Sequence, residues 1–509
     1  MTFAGADDAP WRRLSIRVIW IDVAVSVLAL MPGGIAVIAF DVGPSLRELW
    51  PLATVAAWGL VSAVGDAIRW ACTSYRITST DIERRTGLFV RTSRTMHRDR
   101  VRSVDTSAKL RHRWAGLRVV TVGAGQQTGV GESALVLDAL SKTDAAALQE
   151  LLLDAPTAHQ SREDEAPAAE RVAILASFDP RWVVYNMFSV WAYLMAAGLL
   201  WGAFWLLSSL GIDLFGFVAE LVDWDSLGWL RATAIALAGG GVIGAIGLGV
   251  NFLLGYGNFV LARVHTHSGS YLRTRRGVLS TREVNRDESR MRGMSIGEPL
   301  LWRWMGMADT NVITTGLDVW DTEEPTAILP RGPISVARRT VAEVFGSANP
   351  LSSPLARHPR AALRRRLWWA TALSWVAPFA LAVPAVTGAV AAWVPWAALA
   401  VWPVALTGAF IAYRALGHGV SGDHLVVRSG LLSRTTSALR RDAVSTIAIR
   451  QSILQRRLGL CTVSAMTAAG WSAYEAPDIS SRGAVAFAAQ AAPGLLDDFV
   501  DGEAARDRG

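Results

Sequence analysis

Two trios of arginines recur at fixed spacing along the chain. Arg85, Arg275 and Arg428 each stand two residues before a glycine (Gly87, Gly277 and Gly430), and Arg113, Arg303 and Arg456 each stand three residues before another (Gly116, Gly306 and Gly459). A guanidinium presents five N–H donors in a fixed fork, so these side chains could grip a lipid phosphate or the carboxylates of an acidic peptide through paired hydrogen bonds. An arginine repeated at one place in a β-fold can equally pair with a neighbouring carboxylate or lay its stem along a sheet edge. The second reading is the simpler.

Other groupings carry less chemistry. His97-Arg98-Asp99-Arg100 has the outline of a kinase catalytic loop, but no glycine-rich phosphate loop or paired lysine accompanies it. His265 and His267 share a face if extended, yet no nearby cysteine or third histidine completes a metal site. Cys72 and Cys461, far apart in sequence, make no disulfide framework. Asn251 is the polar residue expected deepest within an apolar segment. Asp22, Asp66, Asn186 and Asn258 fall near segment ends, within reach of water. No nucleophile, base and oxyanion set can be assembled and no cofactor motif stands out, so an enzyme is the least supported class.

The elements that must position these residues are set by a membrane. Half of the 509 residues are apolar, only 18% are charged and mean hydropathy is positive, a composition that suits a bilayer. Six segments have the roughly 20 apolar residues a spanning helix needs: 16–40, 51–70, 182–210, 230–262, 367–386 and 391–413. They form three hairpins. Arg12, Arg13, Arg69, Arg76, Arg171, Arg181, Arg263, Arg360, Arg364, Arg365 and Arg366 flank them on one side, whereas the opposite loops hold Arg47 alone or only acidic residues. Cations resist translocation, so both termini and the soluble portions are expected in the cytoplasm. The first apolar run is too long for a cleaved signal peptide. The net charge of +7 is spread over the chain, which favours an anionic lipid surface over nucleic acid as partner.

After each hairpin comes a polar module of strand-like alternation. With Gly87, Gly277 and Gly430 superposed, Ile82, Leu272 and Leu425 coincide, as do Val101, Met291 and Val444, and Val104, Met294 and Ile447. The apolar pairs Leu88-Phe89, Val278-Leu279 and Leu431-Leu432 follow the glycines, which supply the positive φ of a strand reversal. Each module closes with an amphipathic helix. In the first, Ser141 is the expected N-cap with Asp144 three residues on, and helices are expected near 335–345 and 482–499. The organisation expected is hairpin 14–70, module 72–154, linker 155–181, hairpin 182–262, module 263–345, linker 346–366, hairpin 367–414 and module 416–499.

The stretch Tyr75-Arg-Ile-Thr-Ser-Thr-Asp-Ile-Glu-Arg-Arg-Thr-Gly-Leu-Phe, with Arg98-Asp-Arg-Val-Arg-Ser-Val, resembles the bacterial pleckstrin-homology-like family of multi-span membrane proteins. The resemblance covers nearly the whole chain and is strongest in the first module; the second carries Glu288-Ser-Arg where the first has Arg98-Asp-Arg. It implies an α+β membrane protein whose modules each fold as a seven-stranded bent sheet with a C-terminal helix. It also implies a partner, a smaller membrane protein with one such module, and brings no catalytic residues or cofactor.

Two functions compete. In the first, the chain is a non-enzymatic membrane scaffold whose modules bind protein segments or one another by adding a strand to an exposed sheet edge, multivalently. In the second, it is a transporter or lipid-handling protein whose helices do the work, with Asn251 and the glycine-rich run from Gly239 as the path. That run also places Gly240 and Gly244 four apart, which lets a second helix approach closely.

Overall fold

The computed structural model describes residues 10–21, some positions up to 31, then 46–98, 101–123, 134–153, 171–221, 224–314, 326–346 and 349–495, a few single residues within these ranges excepted. It divides into two compact units, Met1–Ser289 and Arg290–Gly509. The boundary falls inside the second module.

In the first unit, β1 (Arg12–Arg13) and helix α1 (Leu46–Cys72) precede β2 (Ser74–Ile77), β3 (Asp81–Thr86) and β4 (Thr92–His97), and the strands form an antiparallel sheet in the order β1-β2-β3-β4. The chain continues through β5 (Ser103–Ala108), α2 (Leu110–Trp114), β6 (Leu117–Gly123), β7 (Ala134–Ser141) and α3 (Lys142–Leu153). Alternation turns Tyr75 and Ile82 of the first sheet onto Val104, Leu117, Val120 and Leu137, and Ala145, Leu148 and Leu152 of α3 close this core. The expected cap forms: Ser141 Oγ accepts the Asp144 N–H at 3.0 Å and donates to the Asp144 carboxylate at 2.7 Å.

Next come β8 (Arg171–Ser177), α4 (Trp182–Met187), α5 (Trp191–Ser209), α6 (Leu214–Leu221), α7 (Trp224–Tyr256), β9 (Val260–Thr266), β10 (Gly269–Arg276) and β11 (Thr281–Asp287). Three sequence expectations change here. Residues 171–181 are not all linker, because Arg171–Ser177 pairs antiparallel with β9, Val172 opposite Val264. The fourth apolar segment does not run to Ala262: α7 ends at Tyr256, and Val260–Ala262 belongs to β9, where burial makes a strand as apolar as a span. The third segment is likewise broken into α4 and α5. The glycines of α7 allow its close approach to these helices; a Cβ on Gly244 would collide with the Ala192 carbonyl, and Gly247 lies against Met195 and Leu199.

The second unit holds β12 (Met291–Pro299), β13 (Met307–Thr314), β14 (Ala327–Pro333), α8 (Ile334–Phe345), α9 (Arg360–Val386), α10 (Val394–Leu399), α11 (Val401–Arg414), β15 (Gly417–Ser421), β16 (His424–Ser429), β17 (Ser433–Arg440), β18 (Thr446–Arg450), α12 (Ile453–Leu458), β19 (Leu460–Met466), β20 (Ala473–Ser480) and α13 (Ser481–Ala491). Its core repeats that of the first module, with Leu425, Val427 and Leu439 packed on Cys461, Val463, Ile479, Phe487 and Ala488.

Four described stretches are long and apolar enough to cross a membrane: Trp191–Ser208, Ser226–Tyr256, Arg360–Val386 and Val394–Arg414. α1 occupies the second expected span. The first, 16–40, lies largely outside the described residues. Segments that precede α1, α4 and α9 in the chain pair with strands that follow the helices: β1 with β2, β8 with β9, and an isolated bridge from Ala356 to His418 on β15.

Candidate interaction surface at the sheet edges

The modules do not keep their strands to themselves. A seven-stranded sheet runs β7-β6-β5-β11-β10-β9-β8, joining the second half of the first module to the first half of the second. A six-stranded sheet, β14-β13-β12-β17-β16-β15, joins the second to the third in the same manner. The registers agree. Ser103, sixteen residues after Gly87, stands opposite Arg286, nine after Gly277; Gly293, sixteen after Gly277, stands opposite Leu439, nine after Gly430.

Cross-strand ion pairs mark both joints. Arg282 Nε of β11 donates to Asp105 of β5 at 2.8 Å, and Arg434 Nε of β17 donates to Glu298 of β12 at 3.2 Å. Gln149 of α3 adds a bond to Glu283 of β11 at 2.9 Å. Beyond each joint the next residues dock on the glycine turn of the following module. Arg113 of α2 donates to the Val278 carbonyl, and to that of Leu279 at 3.0 Å, while the Leu300 N–H donates to the Leu432 carbonyl at 2.7 Å.

Among the described residues, two strands at the ends of this series lack such a neighbour. Val284, Asn285 and Arg286 of β11 are buried, as are Thr436–Leu439 of β17, whereas every residue of their counterpart β4 except Met96 is exposed. Val104, Thr106 and Ala108 of β5 and most of β12 are buried, whereas no residue of β18 is. β4 and β18 are sheet edges.

The arginine trios do not converge on one anion site. Arg85 is exposed and stacks over Trp11 at 3.9 Å, with Arg76 over the same ring at 5.0 Å. Arg275 is exposed opposite Glu283. Arg428 Nε donates to the Ala415 carbonyl at 3.2 Å, at the end of α11, and burial pushes its pKa down. Arg113 holds the turn described above; Arg303 donates to its own module's Glu298 carbonyl at 3.3 Å; Arg456 of α12 is exposed and has no side-chain partner among the described residues. Asn251 is exposed on α7, five residues from the helix end, about 8 Å along the axis. His265 sits in β9, and His267 lies outside the described residues.

A second feature joins modules to helices. β7 and β20 each bulge three residues before the closing helix, at Ala139 (φ 58°) and Asp478 (φ 64°). The freed carbonyls meet the segments that precede the hairpins: Ala139 accepts the Ser15 N–H at 3.0 Å, and the Asp478 carbonyl lies 3.1 Å from His358 Nδ1. Carboxylates at the bulges meet helix arginines, Asp138 with Arg69 at 3.4 Å and the fully buried Asp478 with Arg365 at 2.6 Å and Arg366 at 3.3 Å. His418 Nδ1 completes the network 3.0 Å from His358 Nε2. Sequence reasoning missed Asp478, His358 and His418; the only available signal was a carboxylate near the end of the last strand in two of the three repeats.

A cavity of about 260 Å³ in the second unit is lined by Asp309, Asn311, Arg331, Trp471 and Tyr474. Burial pushes the Tyr474 hydroxyl up to about 12, so it stays protonated there.

A family described as Bacterial PH domain matches residues 24–156 and 372–493, together half of the chain. The middle module, passed over by that match, still places its strands in the repeated order. UPF0699 transmembrane protein YdbT of Bacillus subtilis (strain 168) is 24% identical over 423 residues, 78% of this chain and 80% of its own length. No solved structure matches the chain. Two module cores built alike, apolar helices of membrane-spanning length and these matches place the chain in the bacterial PH domain family of membrane proteins.

Proposed function

We propose that this protein is a non-enzymatic multi-pass scaffold of the bacterial cytoplasmic membrane, whose PH-like modules lie in the cytoplasm and bind protein segments by strand addition. One observation carries the reading: modules joined through identical strand edges, in identical register, with edges of the same two kinds left open at β4 and β18. The arginine distribution along the sequence supports the cytoplasmic side. Exposed apolar residues at the glycine turns support a membrane-facing rim, since Val278 abuts Gly257 beyond the end of α7 and Leu431 lies 3.7 Å from where a Cβ on Gly408 of α11 would stand. The transporter reading draws less support, because Asn251 is exposed on its helix near an end and meets no second polar group among the described residues.

Affinity capture of the intact protein after gentle solubilisation tests this, with mass spectrometry of what stays bound. Stoichiometric recovery of protein, lost when Ala448→Pro disrupts the β18 edge, is expected. Recovery of lipid alone, together with transport abolished by Asn251→Leu, would overturn the scaffold.

A further inference from the structure

We propose that β18 of one copy of this chain pairs antiparallel with β4 of a second copy, continuing between molecules the joint made twice within one. This deepens the scaffold reading, on which it rests, by naming the surface and the partner. The register follows from the two observed joints. A residue sixteen after its own glycine faces one nine after the next module's glycine. Thr446 stands sixteen after Gly430 and Met96 nine after Gly87, so Thr446 faces Met96, Ile447 faces Thr95, Ala448 faces Arg94, Ile449 faces Ser93 and Arg450 faces Thr92.

Three observations choose a second copy as the occupant. The edges are complementary halves of one joint, since β18 is the counterpart of β5 and β12, and β4 of β11 and β17; each of those four strands buries three or more residues, whereas β4 and β18 bury none. A chain carrying both halves is head-to-tail complementary to itself, the condition for a heterologous assembly that closes as a ring or extends as a line. The glycine turn beyond the joint is docked at both joints, by Arg113 at the first and by the Leu300 N–H at the second; α12 follows β18 as α2 follows β5, and its Arg456 is the counterpart of Arg113. In the second copy the matching turn begins at Leu88, which is 58% exposed. The facing residues set no like charges directly opposite one another: Arg94 meets Ala448 and Arg450 meets Thr92. Five paired residues make a weak interface in solution, and confinement to one membrane raises the effective concentration that sustains it.

The test uses full-length protein in native membranes, with two differently tagged copies co-expressed. Matched cysteine pairs, Arg94→Cys with Ala448→Cys and Ser93→Cys with Ile449→Cys, are compared under mild oxidation with the mismatched pairs Arg94→Cys with Ile449→Cys and Ser93→Cys with Ala448→Cys, whose side chains leave opposite faces. Wild type with its native cysteines is the background. At least one matched pair should give a disulfide joining both tags with tenfold or greater yield over the mismatched pairs. Arg456→Glu should lower that yield severalfold while the buried Cys461 stays as protected from thiol reagents as in wild type, which shows that the module remains folded. Equal yields from matched and mismatched pairs would overturn the inference. So would a disulfide formed only within a chain bearing both cysteines. Cross-linking of Arg94→Cys to a different protein alone would remove self-pairing and leave the scaffold standing; no cross-link together with no captured protein would remove both.

Discussion

Asp478→Asn should open the third module without changing its volume. The carboxylate is completely buried on the β20 bulge and takes Arg365 Nη1 at 2.6 Å, Gln455 Nε2 at 3.0 Å and Arg366 Nη2 at 3.3 Å. Neutralising it leaves two guanidinium groups, with side chains only 23% and 24% exposed, facing an amide. A unit-charge pair near 4 Å is worth about 4 kcal/mol at an effective dielectric of 20. Residual solvent access at both arginines, and the acceptor that asparagine keeps, reduce the combined loss to about 3–4 kcal/mol, at the lower end for breaking a buried pair. Cys461 reports the opening. It is 1% exposed in β19 and opposite Ile479, the residue after Asp478. In a Cys72→Ser background its alkylation rate should rise roughly 10²–10³-fold, at 1.4 kcal/mol per decade. Arg365→Leu added to Asp478→Asn should recover part of the loss by removing one stranded charge. A rise below tenfold, or no recovery in the double variant, would refute the claim that this carboxylate ties the hairpin to the module.

The histidines beside it predict an acid response. His418 is pushed down to about 4, first by burial and then by His358, which burial also lowers, so the stability from their neutral rings is complete above the ordinary value of 6.5 and is lost as pH falls through that range toward 4; thermal midpoints should drop between pH 7 and 5, and less in His418→Phe. Glu298→Arg should destabilise the β12–β17 joint by about 2–3 kcal/mol by placing two arginines opposite each other, and the swap Glu298→Arg with Arg434→Glu should restore most of the melting temperature. Gly277→Ala should cost about 3 kcal/mol or more, since φ is +103° and the new Cβ would collide with the Ser280 carbonyl, whereas Gly116→Ala, with nothing within 4 Å of its Cβ, should cost about 1 kcal/mol; equal melting shifts would contradict the turn geometry.

The repeat was legible because a β-core demands the same apolar residue at the same place in each copy. Ile82, Leu272 and Leu425 are all buried, and Gly87, Gly277 and Gly430 all have positive φ. Ser141 and the closing helices were legible because capping and helical periodicity are local. The joints were not. Asp105 and Arg282 are 177 residues apart, and a strand's alternation says which face it buries but not which strand it will border. The same limit hid β8, whose seven residues follow a long polar stretch, and blurred the end of the fourth apolar segment, where a helix turns directly into a buried strand. The arginine trios were found by spacing, yet only the structure separates Arg113, which clamps the next module's turn, from Arg85, which stacks on Trp11.

Sharing sheets changes what a tandem of modules can be. A self-contained module tethered at its ends would add binding sites without adding rigidity, but a strand that completes its neighbour's sheet couples the two, so loosening β5 also exposes the face of β11 that buries Val284 and Arg286. The coupling creates an obligation at each end of the series, because an edge built to be covered presents unpaired N–H and C=O groups. β4 carries serine, threonine, arginine and histidine on its open edge, and β18 is only five residues long. Both features discourage indiscriminate pairing, while the preserved register still admits the strand that fits. Polar, short edges of matched register suit an interface that forms among molecules held in one membrane and dissolves outside it.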